Sequence, residues 1–155
     1  MPDVGIEICE MARDVICKLA TRSTDGMETG GILLGRGPEP DGLIAAEIAG
    51  DPGPKAIRKA DYFLRDLEHA QGLAMEAWDT SRAVWIGEWH THLNGSPAPS
   101  TSDLGTYLRL LAASELAFTH FLSIIVTDDG AGDWMRPELS PWVMELDSGS
   151  DRVSD

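Results

Sequence analysis

The sequence predicts an α/β fold, with a mixed β-sheet flanked by helices. Three observations predict it. Short apolar stretches with a strand-like pattern alternate along the chain with amphipathic stretches of helical period. The chain has 155 residues, about one domain. Apolar residues make up 43% of it, an ordinary share for a soluble fold and enough for one sizeable core.

Val4, Ile6 and Ile8 alternate, which predicts a short opening strand. Met11, Val15, Ile16 and Leu19 then recur at three- and four-residue spacing, predicting a helix that ends near Arg22, before Ser23-Thr24-Asp25-Gly26. Glu28-Thr29-Gly30-Gly31 leads into the apolar strand Ile32-Leu33-Leu34-Gly35. Gly37-Pro38 through Asp41-Gly42 is turn chemistry, and Leu43 to Ile48 can return as the second strand of a hairpin. Gly50 to Pro54 reads as a loop. A helix is predicted from about Asp61 to Asp79, on the spacing of Phe63, Leu64, Leu67, Leu73, Met75 and Trp78, with Gly72 weakening its middle.

Val84 to Trp89 is apolar on both faces, as a central strand is. Leu93 to Pro99 is a loop rich in Gly, Pro and Ser. Ser102 or Ser100 caps the next helix, which carries Leu104, Leu108, Leu111 and Leu116. Phe121 to Val126 is a buried strand ended by Asp128-Asp129-Gly130, and Trp142 to Leu146 reads as a last edge strand. The order is β-α-β-β-α-β-α-β-β. Residues 1–146 are expected to form the domain and 147–155 a disordered acidic tail.

Composition narrows the function. A formal charge of −14 argues against a nucleic-acid partner, because phosphate backbones reward Lys and Arg. No apolar run reaches the roughly 18–20 residues of a membrane span. Met1-Pro2-Asp3 lacks the basic start of a secretory signal, so a cytoplasmic protein is expected. Cys9 and Cys17 form no Cys-x-x-Cys pair and are expected to be buried thiols. Their count excludes the Cys-rich zinc scaffold of nucleoside deaminases.

The chemistry centres on His90-Thr91-His92, at the end of the central strand. Residues two apart on a strand face the same way, so both imidazoles aim into one space. Hydrolytic zinc takes three protein ligands and keeps its fourth position open for water. His90, His92 and Asp103 would supply the three, and Glu28 would be the base that takes the water's proton. Gly30 and Gly31 would let its strand pack closely. Ser100 could donate to the oxyanion on the scissile carbonyl. Each part also has a plainer reading. Ser100 with Asp103 three residues on is a capping box, His-x-His at a strand end is a polar surface pair, and Glu28 is a loop glutamate. Glu88 shares the histidine face, where it could orient an imidazole or pair with an Arg. Trp85 and Trp89 are expected on the opposite face. His69 and His120 read as structural.

Glu28 followed far downstream by His-x-His-x7-Ser-x2-Asp is specific as a set. The sequence resembles the JAMM (JAB/MPN-type) zinc metalloproteases over about Val4 to Trp142. The resemblance implies a JAB/MPN-like, cytidine-deaminase-like sandwich binding one Zn2+ through His90, His92 and Asp103, with Glu28 and Ser100 catalytic. It implies cleavage of isopeptide or peptide bonds at the C-terminus of ubiquitin-like proteins. Leu93 departs from the proline the family usually has after the second histidine, which bears on loop rigidity and not on metal ligation. The text around Gly87 to His92, Pro97 to Ser100 and Glu28 to Gly35 resembles the bacterial stand-alone branch. Some members of that branch act in cyclic-oligonucleotide antiphage (CBASS) defence, beside ubiquitin-activating-like and ubiquitin-conjugating-like enzymes, releasing a nucleotidyltransferase from conjugates. Two alternatives stand beside this. One is trimming of a small β-grasp sulfur-carrier protein. The other is a non-catalytic interaction module.

Overall fold

A computed structural model describes residues 3–146. The expected tail, 147–155, lies outside the described residues. The elements in order are β1 (Gly5–Ile8), α1 (Glu10–Arg22), β2 (Gly30–Arg36), β3 (Leu43–Ala49), β4 (Ile57–Lys59), β5 (Tyr62–Leu64), α2 (Leu67–Ser81), β6 (Val84–Thr91), α3 (Thr101–Ala112), β7 (His120–Thr127) and β8 (Glu138–Glu145). A single 3₁₀ turn, Ser114–Leu116, joins α3 to β7.

Six strands form one mixed sheet in the order β1-β3-β2-β6-β7-β8, while β4 and β5 pair as a separate hairpin. β1 runs parallel to β3, and β6 parallel to β7; the other neighbours are antiparallel. The central place of β6 follows from its sequence, because only a strand covered on both faces can be apolar on both. On one face of the sheet, α1 buries Ala12, Ile16 and Ala20 against Leu33, Ile44, Trp89, Leu122 and Ile124. On the other, Ala70 and Ala77 of α2 meet Ile32 and Leu34, and Tyr107 and Leu111 of α3 meet Phe118 and Phe121. The α/β prediction holds, the element order gains the unforeseen pair β4 and β5 before α2, and the result is a helix–sheet–helix sandwich.

Four local expectations change, the simplest being that Leu116, expected within the helix that Ser100 caps, lies in the 3₁₀ turn beyond its end at Ala112. The helix expected from Asp61 begins only at Leu67, because Asp66 caps it by accepting from the His69 N–H at 3.1 Å. Tyr62–Leu64 instead forms β5, burying Phe63 opposite Arg58. Trp85 does not share a face with Trp89. β2 pairs Leu33 with Gly87 but Leu34 with Trp85, so Ile86 is an extra residue in β6. Such a bulge reverses the alternation. Ile86 therefore joins Trp89 in the α1-side core, and Trp85 packs on the α2 and α3 side. Cys9 and Cys17 are free thiols but only half-buried, Cys17 lying off the Ala12–Ile16–Ala20 stripe that α1 packs inward.

Candidate active site

His90 is the penultimate residue of β6, and His92 lies one residue beyond the strand. The His92 N–H still reaches the Val126 carbonyl at 2.9 Å, so the ladder with β7 continues through it. Alternation then places both rings on the α3 face, with centroids 4.9 Å apart. Glu28 arrives from the segment just before the neighbouring strand β2. Gly30 pairs with His90, and Thr29 is locked to Thr91 by N–H bonds in both directions, to the Thr91 hydroxyl at 2.9 Å and to the Thr29 carbonyl at 2.8 Å. Glycine at position 30 is required by this approach, since a Cβ there would lie 2.7 Å from the His90 Cβ. A Cβ on Gly31 would strike the Gly50 carbonyl.

Asp103 comes from the first turn of α3. Its Oδ2 accepts from the Ser100 N–H at 2.8 Å while Ser100 Oγ accepts from the Asp103 N–H at 3.0 Å. This is the capping box foreseen as the plainer reading. The same Oδ2 lies 3.2 Å from His90 Nε2 and 3.0 Å from His92 Nε2, and those two nitrogens are 3.1 Å apart. Capping and convergence on the histidines are therefore both true of Asp103. The box aims the carboxylate, and Tyr107 anchors the helix behind it by stacking on Phe121 and accepting from Ser123 Oγ at 2.9 Å.

Glu28, His90 and His92 form a buried group with one ligand-type atom of each within 4.8 Å of the others. The electrostatics divide the two site carboxylates. Burial pushes Glu28 from 4.5 up to about 7, only partly countered by His90 and His92. Burial would raise Asp103 too, but hydrogen bonds from His90, His92 and the Ser100 N–H outweigh it and hold that carboxyl well below the usual range. His92 is raised: burial opposes its charge, and its bonds to Asp103 and the Ser96 carbonyl prevail.

A family model for prokaryotic homologs of the JAB domain matches residues 11–140. The chain belongs to the prokaryotic JAB family. A protein of Enterobacter hormaechei subsp. hoffmannii named CD-NTase/cGAS isopeptidase is 30% identical over 115 residues, covering 74% of this chain and 63% of that one. One of the same name from Vibrio cholerae serotype O1 is 33% identical over 92 residues, covering 57% of this chain and 56% of its own length. The match thus spans less than two thirds of either relative. The solution structure of a Desulfitobacterium hafniense protein superposes with a TM-score of 0.62 at 19% identity, covering 92% of this chain and 86% of that one, and shares its fold.

The donor set of this JAB domain fits a metal ion. The His92 Nδ1–H donates to the Ser96 carbonyl at 2.9 Å, so in the neutral ring the Nε2 lone pair is free and faces Asp103 and His90. The three facing atoms are separated by 3.0–3.2 Å. Tetrahedral zinc, with bonds of about 2.0–2.1 Å, holds its ligand atoms on the order of 3.3 Å apart. His90 Nδ1 is buried without a hydrogen-bond partner; the nearest carboxylate oxygen, on Glu88, is 3.9 Å away.

Glu88 resolves toward its second reading. Arg65 holds its Oε2 through Nε at 2.8 Å and Nη2 at 2.6 Å, in a buried pair. Arg65, Tyr107 and Trp142 were not legible from sequence. A buried acid on a central strand does signal that some cation must meet it, but not which one. Trp142 Nε1–H donates to the Pro97 carbonyl at 2.7 Å, tying the loop after His92 to β8. His69 pairs with Asp51, away from the site. Among the described residues, no helix is long and apolar enough to cross a membrane.

Proposed function

We propose that this protein is a zinc-dependent isopeptidase. It releases a protein joined through its C-terminus in a ubiquitin-like manner, with a nucleotidyltransferase of the cyclic-oligonucleotide defence type as the conjugated partner. The carrying observation is the convergence of one carboxylate and two imidazole nitrogens within 3.2 Å, beside a second carboxylate raised to about 7. The names of the relatives support the bond and the substrate class.

His90, His92 and Asp103 would hold the zinc. When bound, it supplies a Lewis acid toward water and the scissile carbonyl. Glu28 takes the proton of the attacking water and passes it to the leaving amine. Burial raises this carboxyl in the metal-free protein, and a carboxyl whose pKa lies near the working pH can both take and give a proton. Ser100 Oγ uses a lone pair on the Asp103 N–H, which leaves its hydrogen free for the developing oxyanion. Ser96 fixes the His92 tautomer, and Phe63 stacks over His90 at 6.2 Å and covers the ring.

The test is metal analysis with Glu28→Gln, followed by incubation with a nucleotidyltransferase conjugate. One zinc per chain is expected in both proteins, with cleavage by wild type alone and turnover by the variant lowered about 10²–10⁴-fold. Zinc-free wild type with no cleavage would point to an interaction module. Cleavage of only a C-terminally extended β-grasp protein would point to sulfur-carrier processing.

A further inference from the structure

Glu28 lies outside every strand and helix, in the segment between Arg22 and Gly30. A general base must come within about 2.6–3.2 Å of the proton it takes, so something has to fix that segment. The β4–β5 hairpin does so, from outside the main sheet. The Glu28 N–H donates to the Lys59 carbonyl at 2.8 Å. Arg58 Nε donates to the Glu28 carbonyl at 2.9 Å. Both backbone polar groups of Glu28 are thereby engaged by two consecutive residues of β4.

The rest of the Arg58 guanidinium continues along the same segment. Nη1 reaches Asp25 Oδ2 at 2.9 Å, and Nη2 reaches Asp25 Oδ1 at 3.1 Å and Ser23 Oγ at 2.8 Å. Asp25 in turn accepts from the Met27 N–H at 3.1 Å. One planar fork thus ties positions 23, 25 and 28 together. Thr29 is held from the opposite side by Thr91, next to both histidines. An isolated surface ion pair contributes little, but this one is bidentate and adds two further directed bonds. That geometry suits Arg and not Lys.

We propose that Arg58 is a positioning residue for Glu28: the hairpin sets where the proton-carrying carboxylate sits, through the Glu28 peptide and not through the metal ligands. This rests on reading Glu28 as the proton carrier. A hairpin that covers His90 with Phe63 and aligns Glu28 with Arg58 contributes to both sides of the site, although it is hydrogen-bonded to neither β2 nor β6.

The test compares Arg58→Ala, Arg58→Lys and Asp25→Asn with Glu28→Gln, in full-length metal-loaded protein. Amide hydrogen exchange, metal content, kcat and KM are measured together. In Arg58→Ala, exchange at the Glu28 amide should accelerate while the Thr91 and His92 amides stay protected and metal content is unchanged. kcat should fall on the order of 10–100-fold, as for a reacting group misplaced by about 1 Å, with KM nearly constant. Arg58→Lys should fail to restore kcat, and Asp25→Asn should lie between. Wild-type exchange at Glu28 in Arg58→Ala, or full kcat in Arg58→Lys, overturns the proposal. If Arg58→Ala unfolds, Asp25→Asn carries the same exchange test. Full turnover by Glu28→Gln would instead sink the proton-carrier reading, and the exchange data would still judge the clamp.

Discussion

Glu28 and Asp103 bring the same functional group into one space from opposite sides of the sheet face, and their surroundings drive them apart. Both are buried, with 4% and 7% of their surface exposed. Asp103 enters on a capped helix, where its Oδ2 lies within 3.2 Å of both imidazole Nε2 atoms and accepts from a backbone N–H. Glu28 enters on an irregular segment and is itself held through its backbone N–H and carbonyl, and among the described residues its carboxylate has no hydrogen-bond partner. Burial with partners yields an acid that stays ionised, as the ligand role proposed for Asp103 requires. Burial without partners raises the other in the metal-free protein to about 7, in keeping with the acid–base role proposed for Glu28. Titratable groups pushed in opposite directions within one site mark such a division of labour. Glu88 is the control on the same face. It is equally buried, but Arg65 neutralises it, and it plays a structural part.

The largest expected effect breaks the Asp103 side. Asp103→Ala removes the carboxylate that both imidazoles face and leaves two histidines to hold a metal. Affinity should fall by more than the roughly 10–100-fold seen when an outer-shell partner is lost, checked by competition with a chelating dye. Retention of full affinity would overturn the ligand set.

Ser100 separates the two sides of the comparison, because it caps α3 and is also the proposed oxyanion donor. Ser100→Ala should cost about 1 kcal/mol of stability, together with about 10²–10³-fold in kcat. Ser100→Gly should recover most of the stability, since Gly is a tolerated cap, without recovering kcat. Melting curves and steady-state rates on the two variants decide whether the hydroxyl acts only as a cap.

The smallest effect sharpens the Glu28 side. In metal-free protein the Glu28 carboxyl is raised from 4.5 to about 7, so between those values the folded state keeps a proton that the unfolded chain has released. The stability this proton brings is complete below 4.5 and lost as pH rises through about 7. The raised His92 adds a contribution of the same sign. Glu28→Gln should remove the Glu28 part of the slope, leaving the metal-free variant more stable than wild type at pH 8 by on the order of 1–3 kcal/mol. Denaturant titrations at pH 5 and pH 8 measure it. Equal slopes in both proteins would mean that Glu28 is solvated and not desolvated.

Much of this protein was legible from local spacing. Two-residue alternation put His90 and His92 on one face, and the three-residue step from Ser100 to Asp103 announced a helix start. Apolar runs picked out β6 as a central strand and β7 as a buried one, and both lie inside the sheet. Such signals survive in sequence because the residues that interact are neighbours in the chain, so their spacing is the geometry. What only the tertiary structure decided lies at long range or at a break in the period. The extra residue at Ile86 moved Trp85 to the other face, and nothing in an apolar run marks where a bulge falls. The helix expected from Asp61 gave way to a hairpin because Phe63 packs beside His90, whose position depends on β6. Arg65 meets Glu88 across 23 residues, and Arg58 meets Glu28 across 30. A charge states that it needs a partner once buried; which of the chain's cations arrives is set by register and packing, and these exist only in the folded sheet.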